Sequence, residues 1–199
     1  MKKNILISGF VILSALGLGL YLNSSQSFKN VEIHSQFVAD LSDDRIMMGA
    51  SHNVFVGKVT QEIGTTDIDI GPETQFKVEI LDNMKGDLAG EVTVNQQAGY
   101  NAEGVLYNPH GVALIATGNT YLFNTRYNPE QDWYTVSAHP NGLKLISEDA
   151  SLQASELKNL AEQDKKVKKF REAYKNEILL DADIRTNNTR NSYKSLSED

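Results

Sequence analysis

A chain of 199 residues with 40% apolar and 23% charged residues is long enough for one domain plus appendages, and apolar enough to build a core. Its net charge of −7 becomes −9 once residues 1–22, with Lys2 and Lys3, are set aside; this repels phosphate backbones and argues against nucleic acid as a partner. With no cysteine, disulfides, thiolate catalysis, cysteine-bound zinc and an acylated N-terminal cysteine are all excluded.

Met1-Lys2-Lys3-Asn4 is a short basic start, and Ile5 to Leu22 follows as 18 residues without a charge. Residues 1–22 are therefore expected to be a membrane-spanning signal-anchor helix or a signal peptide. Lysines ahead of the apolar run favour export of everything after it. Tyr21 and Leu22 stand where a cleavage site needs small residues, which favours retention. The expected location is the cell membrane, crossed once with the C-terminal part extracytoplasmic, or outside the cell if the leader is cleaved.

Residues 23–35 are polar and read as a spacer. From Gln36 to Met48 the apolar residues Phe37, Val38, Leu41, Ile46 and Met47 recur at near-helical spacing, which predicts a short helix. From Val54 the period becomes two. Val54, Val56 and Val59 form a first strand, and Phe76, Val78 and Ile80 alternate with Gln75, Lys77 and Glu79 in a second. Val92 and Val94 mark a third. Val112 to Ile115, Tyr121 to Arg126, Trp133 to Ser137 and Leu143 to Ile146 supply four more, separated by turn chemistry such as Lys85-Gly86-Asp87 and Pro140-Asn141-Gly142. Seven short strands at this spacing predict a mainly β fold, a small antiparallel barrel or sandwich. Residues 149–180 return to a helical period, with Leu152, Leu157, Leu160, Val167, Phe170 and Tyr174 on one face of a C-terminal amphipathic helix. Residues 181–199 are polar and are expected to be disordered.

The order of Val56-Gly57-Lys58-Val59, Met84-Lys85-Gly86-Asp87-Leu88 and Gly118-Asn119-Thr120-Tyr121-Leu122-Phe123 resembles bacterial netrin-like and TIMP-like (tissue inhibitor of metalloproteinases-like) domains. The resemblance spans residues 36–148 and implies an OB-like barrel there. Animal inhibitors of that class grip a protease zinc through an N-terminal cysteine. This chain has none, so the resemblance carries no inhibitory residue over.

Catalytic signatures are absent. His34, His52, His110 and His139 form no H-x-x-x-H or H-E-x-x-H pair, and Asp67-Ile68-Asp69 with Glu73 lacks the spacing of a calcium loop; acids facing water from a strand rim explain it better. There is no G-x-S-x-G elbow and no phosphate-binding glycine loop. No cofactor or metal is expected. The stretch Gln96 to Gly111 is a long glycine-containing connection carrying Tyr100, Tyr107 and His110, either a binding loop with those three as its site or a flap that covers the barrel mouth. Lys165 to Lys175 carries a net charge of +5 against −10 over residues 40–149, a polarity that favours docking of the helix on its own barrel over contact with anionic lipid or wall polymer. The expected function is a non-enzymatic, membrane-tethered interaction module of the cell surface whose partner is an envelope protein or polymer. Alternatives are a regulator or inhibitor of extracellular peptidases and a metal-dependent hydrolase.

Overall fold

The structure is a computed structural model that describes residues 39–68, 71–108 and 111–180. The leader, the spacer, residues 36–38 of the expected first helix and the C-terminal tail lie outside the described residues. Among those described, no helix is long and apolar enough to cross a membrane.

The first helix, α1, is Asp44–Ala50, shorter than the expected span. Asp43 sets its start: the Asp43 side chain accepts from the Arg45 backbone N–H at 2.9 Å and pairs with the Arg45 guanidinium, which holds its carboxyl down to about 2. The chain ahead of it, Ala39 to Asp43, is a turn and not helix.

A long hairpin follows, β1 (Asn53–Ile68) and β2 (Gly71–Lys85), paired from Val54↔Lys85 at one end to Ile68↔Gly71 at the other. Then come β3 (Glu91–Gln96), a small ribbon of β4 (Gly99–Tyr100) and β5 (Leu106–Tyr107), and β6 (Thr120–Asn128), β7 (Trp133–Val136) and β8 (Leu143–Ser147). The main sheet runs β1-β2-β3-β7-β6-β8, and β1 also pairs with β6. The sheet therefore curls back on itself but closes only in part. β1 meets β6 only from Asn53 to Lys58, and β3 meets β7 only through the parallel pairs Val94↔Tyr134 and Asn95↔Thr135. Gly57 sits where the curl brings β2 close: a Cβ there would lie 2.4 Å from Val78 Cγ1.

The expected strand at Val112–Ile115 is not one. That segment has no ladder partner among the described residues; instead the Gln96 amide does a strand's work, donating to Ala113 O at 2.7 Å and accepting from Ile115 N at 2.9 Å. The C-terminal helix is also two helices, α2 (Ala154–Gln163) and α3 (Lys165–Lys175). Asp164 breaks it. Its backbone is extended, and its side chain accepts from Lys166 N and Val167 N, so one residue ends the first helix and caps the second. Glu148 and Asp149 lie in the connection between β8 and the helices, ahead of a turn at Ala150 and Ser151, and Gln153 caps α2 through a reciprocal bond with Glu156.

Strand alternation sorts the core into two layers. Phe55, Val59, Phe76, Val78, Val94, Tyr121, Phe123 and Val136 fill the concave side, with Phe55 stacked on Phe123 at 5.1 Å. Val54, Val56, Leu81, Met84 and Leu122 point the other way and are covered by Met47 and Met48 of α1, Leu157 and Ala161 of α2, and Val167 and Phe170 of α3. Charge follows the apolar contact: Lys169 pairs with Asp44 at 2.9 Å, Lys85 with Glu177 at 2.5 Å, and Arg171 with Asp82.

Candidate functional site

The hairpin β1–β2 has two dissimilar ends. At the Val54↔Lys85 end it is covered by all three helices. At the Ile68↔Gly71 end it carries the β4–β5 ribbon, and this is where the residues expected to bind are found.

Sequence spacing grouped Tyr100, Tyr107 and His110, and the structure separates the two tyrosines. Gly99 pairs with Tyr107 and Tyr100 with Leu106, so adjacent positions point to opposite faces of the ribbon. Tyr107 turns inward. Its ring lies over Gly71, whose backbone holds φ +133°, and a Cβ at that position would come 2.6 Å from the ring; burial pushes the Tyr107 hydroxyl above its ordinary value. Tyr100 turns outward and is 49% exposed, beside half-buried Leu106. His110 lies outside the described residues. Gly71→Ala is expected to unseat the Tyr107 ring and to cost about 1–3 kcal/mol, because the new side chain meets both a forbidden backbone angle and an aromatic face. Chemical denaturation reads this directly, and wild-type stability in the variant would show that the ring is not seated there.

The ribbon is held by a buried polar network that the sequence did not reveal. Glu73, read as a water-facing rim acid, is only 4% exposed. Its carboxylate accepts from Asn95 Nδ2 at 2.5 Å and from Gln97 Nε2 at 3.3 Å. Gln75 Nε2 donates to Asn95 Oδ1 at 2.8 Å and to Glu73 O at 2.9 Å, and Thr66 Oγ1 donates to Gln75 Oε1 at 2.9 Å. Thr74 Oγ1 donates to Ala98 O at 2.8 Å, tying β2 to the residue just before the ribbon. Burial pushes the Glu73 carboxyl above its ordinary value, and the Asn95 and Gln97 amides oppose that shift. Asp67 is exposed, as read from the sequence, and Asp69 lies outside the described residues.

The ribbon ends in a stiff, exposed turn. Asn101 Oδ1 accepts from Glu103 N at 3.1 Å and Val105 N at 2.9 Å, and Gly104 N donates to Asn101 O at 2.9 Å. Alongside, β1 beyond Val59 pairs with β2 and with no other strand among the described residues, so Gln61 to Asp67 presents an open sheet edge on which Ile63 is 49% exposed. A recess large enough for about one water lies between Gln96, Gln97, Val112 and Leu143.

Among the described residues, no three histidine or carboxylate groups converge to hold a metal ion. His52 and His139 each accept a backbone N–H through Nδ1, from Tyr127 and Asn141. His34 is outside the described residues. No family model matches the chain, and no curated protein matches it.

Proposed function

We propose that this chain is a non-enzymatic interaction module tethered to the outer face of a membrane by residues 1–22 and built on an OB-type barrel of netrin-like or TIMP-like kinship. The barrel reading is supported by the ring in which β1 meets β2, β2 meets β3, β3 meets β7 in parallel, β7 meets β6 and β6 returns to β1. Five strands joined in that order form a small, partly open Greek-key barrel, an architecture that binds through its face and its connecting loops. Tethering rests on the uncharged run from Ile5 to Leu22 behind two lysines.

The observation that carries the binding reading is the far end of the β1–β2 hairpin. Exposed Tyr100, the stiff Asn101–Gly104 turn and the open β1 edge lie together there, on a buried amide network that fixes them in advance. Preorganised aromatic and strand-edge groups lose little entropy on binding, and none of them is a nucleophile or a tuned acid–base pair. The partner is an envelope protein or polymer. Capture from cell envelopes with the full chain tests this, with Tyr100→Ala and Ile63→Lys as comparison baits. One partner retained by the wild type and lost with either variant is expected; capture that survives both substitutions would remove the site.

A second reading is favoured by the Asn101–Gly104 turn alone. Rigid, solvent-exposed loops fit peptidase clefts, so regulation of an extracellular peptidase by loop insertion is the alternative. Unchanged activity of co-secreted metallo- and serine peptidases at saturating protein would sink it.

A further inference from the structure

The helix α3 docks on the barrel with its apolar side, yet most of its charge is left over. Val167, Phe170 and Ala173 are buried, while Lys169 and Arg171 are satisfied by Asp44 and Asp82. Lys165, Lys166 and Lys168 are exposed and make no ion pair or hydrogen bond among the described residues through their side chains. Lys175 reaches only Glu172, one turn back, with both groups exposed. Self-docking thus consumes one lysine and the arginine, and leaves Lys165, Lys168 and Lys175 on the side of α3 opposite Val167, Phe170 and Ala173, with Lys166 exposed at its flank near Lys144. Tyr174 near the C-terminal end of the helix, and Ile178 and Leu179 just beyond it, are exposed.

We propose that this outer face of α3 rests on the anionic phospholipid surface of the membrane that holds the leader, and so fixes the orientation of the domain. The inference rests on the tethered reading of residues 1–22. Two further features select lipid headgroups as the occupant. First, the chain enters the domain on this side. Ala39 packs on the core layer that α1 and α3 share, and only residues 23–38 separate it from the leader, a reach of at most about 55 Å. The tether keeps α3 at high effective concentration near the bilayer. Second, charge complementarity is polar. With −10 over residues 40–149 and +5 on α3, an anionic surface repels the barrel and attracts the helix, so one orientation is favoured.

The consequence for function lies in the hairpin. α3 sits at the Val54↔Lys85 end, bound through Phe170 and, just past its C-terminus, through Glu177 to Lys85, and the ribbon sits at the Ile68↔Gly71 end. From Val54 to Thr66 is about 40 Å of strand at ~3.3 Å per residue. A helix resting on the membrane therefore projects Tyr100 and the open β1 edge outward, where an envelope partner can reach them.

The absence of cysteine makes the test direct, because a single introduced thiol takes a fluorescent label at one place. The full chain carrying Glu172→Cys or Glu103→Cys is reconstituted in vesicles with a headgroup-linked acceptor. In vesicles containing phosphatidylglycerol, energy transfer from position 172 is expected to exceed that from position 103. The difference should shrink in phosphatidylcholine alone, at high salt, and in the variant K165Q/K166Q/K168Q. Equal transfer from both positions, or a difference indifferent to the three lysines, would overturn the proposal. So would a free polyanion that displaces position 172 at the same phosphate concentration, which would make the occupant a polymer. Flotation separates the two readings. A chain that fails to float with phosphatidylcholine vesicles disproves the tether. Its α3 is then read by flotation with phosphatidylglycerol vesicles, where the triple lysine variant is expected to bind about a hundredfold more weakly, and equal binding by both would again overturn it.

Discussion

Replacing Phe170 by alanine is expected to lower the unfolding free energy by about 3–5 kcal/mol. The ring is fully buried between the helices and the convex side of the sheet, in one cluster with Val54, Val56, Leu81, Met84 and Leu122. Removing it opens a cavity at the centre of the joint, and the sheet cannot collapse into it because its other face is filled by Phe55 and Phe123. A second loss adds to the first. Lys144 Nζ lies 4.5 Å over the Phe170 ring, and burial already pushes that amine below its ordinary value while Asp44, at 3.7 Å, opposes the shift. Without the ring the half-buried amine keeps its desolvation and loses one of its compensating contacts. Phe170→Leu, which keeps most of the volume, should cost less than about 1.5 kcal/mol. Denaturant unfolding monitored by circular dichroism reads both. A loss below about 1 kcal/mol for the alanine variant would mean that α3 is not packed on the sheet. The exposed lysines of the same helix make the contrast: K165Q/K166Q/K168Q should stay within about 0.5 kcal/mol of wild type.

The positions that decide these effects were legible in the sequence to different degrees, for physical reasons. Phe76 and Val78 against Lys77 and Glu79 announce a strand with one wet face, and that strand is present. Val54 and Val56 read as alternation although Phe55 between them is just as apolar, and Tyr121-Leu122-Phe123 reads as a plain apolar run. Both faces of those strands are buried, one in the curl of the sheet and one under the helices, so alternation in hydrophobicity vanishes where alternation in direction matters most. The hairpin extends well past its apolar part, through Thr60 to Asp67, which apart from Gly64 and exposed Ile63 is polar and carries no periodic signal. Asp164 breaks the C-terminal helix in two, but Leu157, Leu160, Val167 and Phe170 keep helical spacing across it, and the period hid the break.

The candidate site was legible as a place and not as an arrangement. A long glycine-containing connection with tyrosines marked where to look. Only the pairing of Gly99 with Tyr107 shows that one tyrosine seals the hairpin end while the other faces solvent. No local signal could show that Glu73, among Asp67 and Asp69, turns inward. Its partners Asn95 of β3 and Gln97 just after it lie more than twenty positions away, and polar residues at such distance leave no periodic trace. Gln96 replacing a strand partner is illegible for the same reason.

Asn95→Ala is expected to cost about 3–5 kcal/mol at neutral pH, and its cost should shrink in acid. Asn95 is fully buried and gives its amide to the Glu73 carboxylate at 2.5 Å while its carbonyl takes the Gln75 amide at 2.8 Å. Alanine removes both at once, and leaves a buried carboxylate with Gln97 as its one remaining side-chain donor among the described residues. The pH dependence follows from the direction of the Glu73 shift. Burial raises its folded pKa above the unfolded value near 4.5, so Glu73 contributes stability that is fully present below that value and is lost as pH rises through the raised pKa. The Asn95 amide favours the ionised form, so its loss raises the folded pKa further. Wild type and variant then differ most where Glu73 is ionised in both, and least below 4.5, where it is protonated in folded and unfolded chains alike. Unfolding curves for both proteins across the acid range read that convergence. A cost that stays constant with pH would show that Asn95 acts through packing alone, and that the carboxylate is not what holds the ribbon end of the hairpin together.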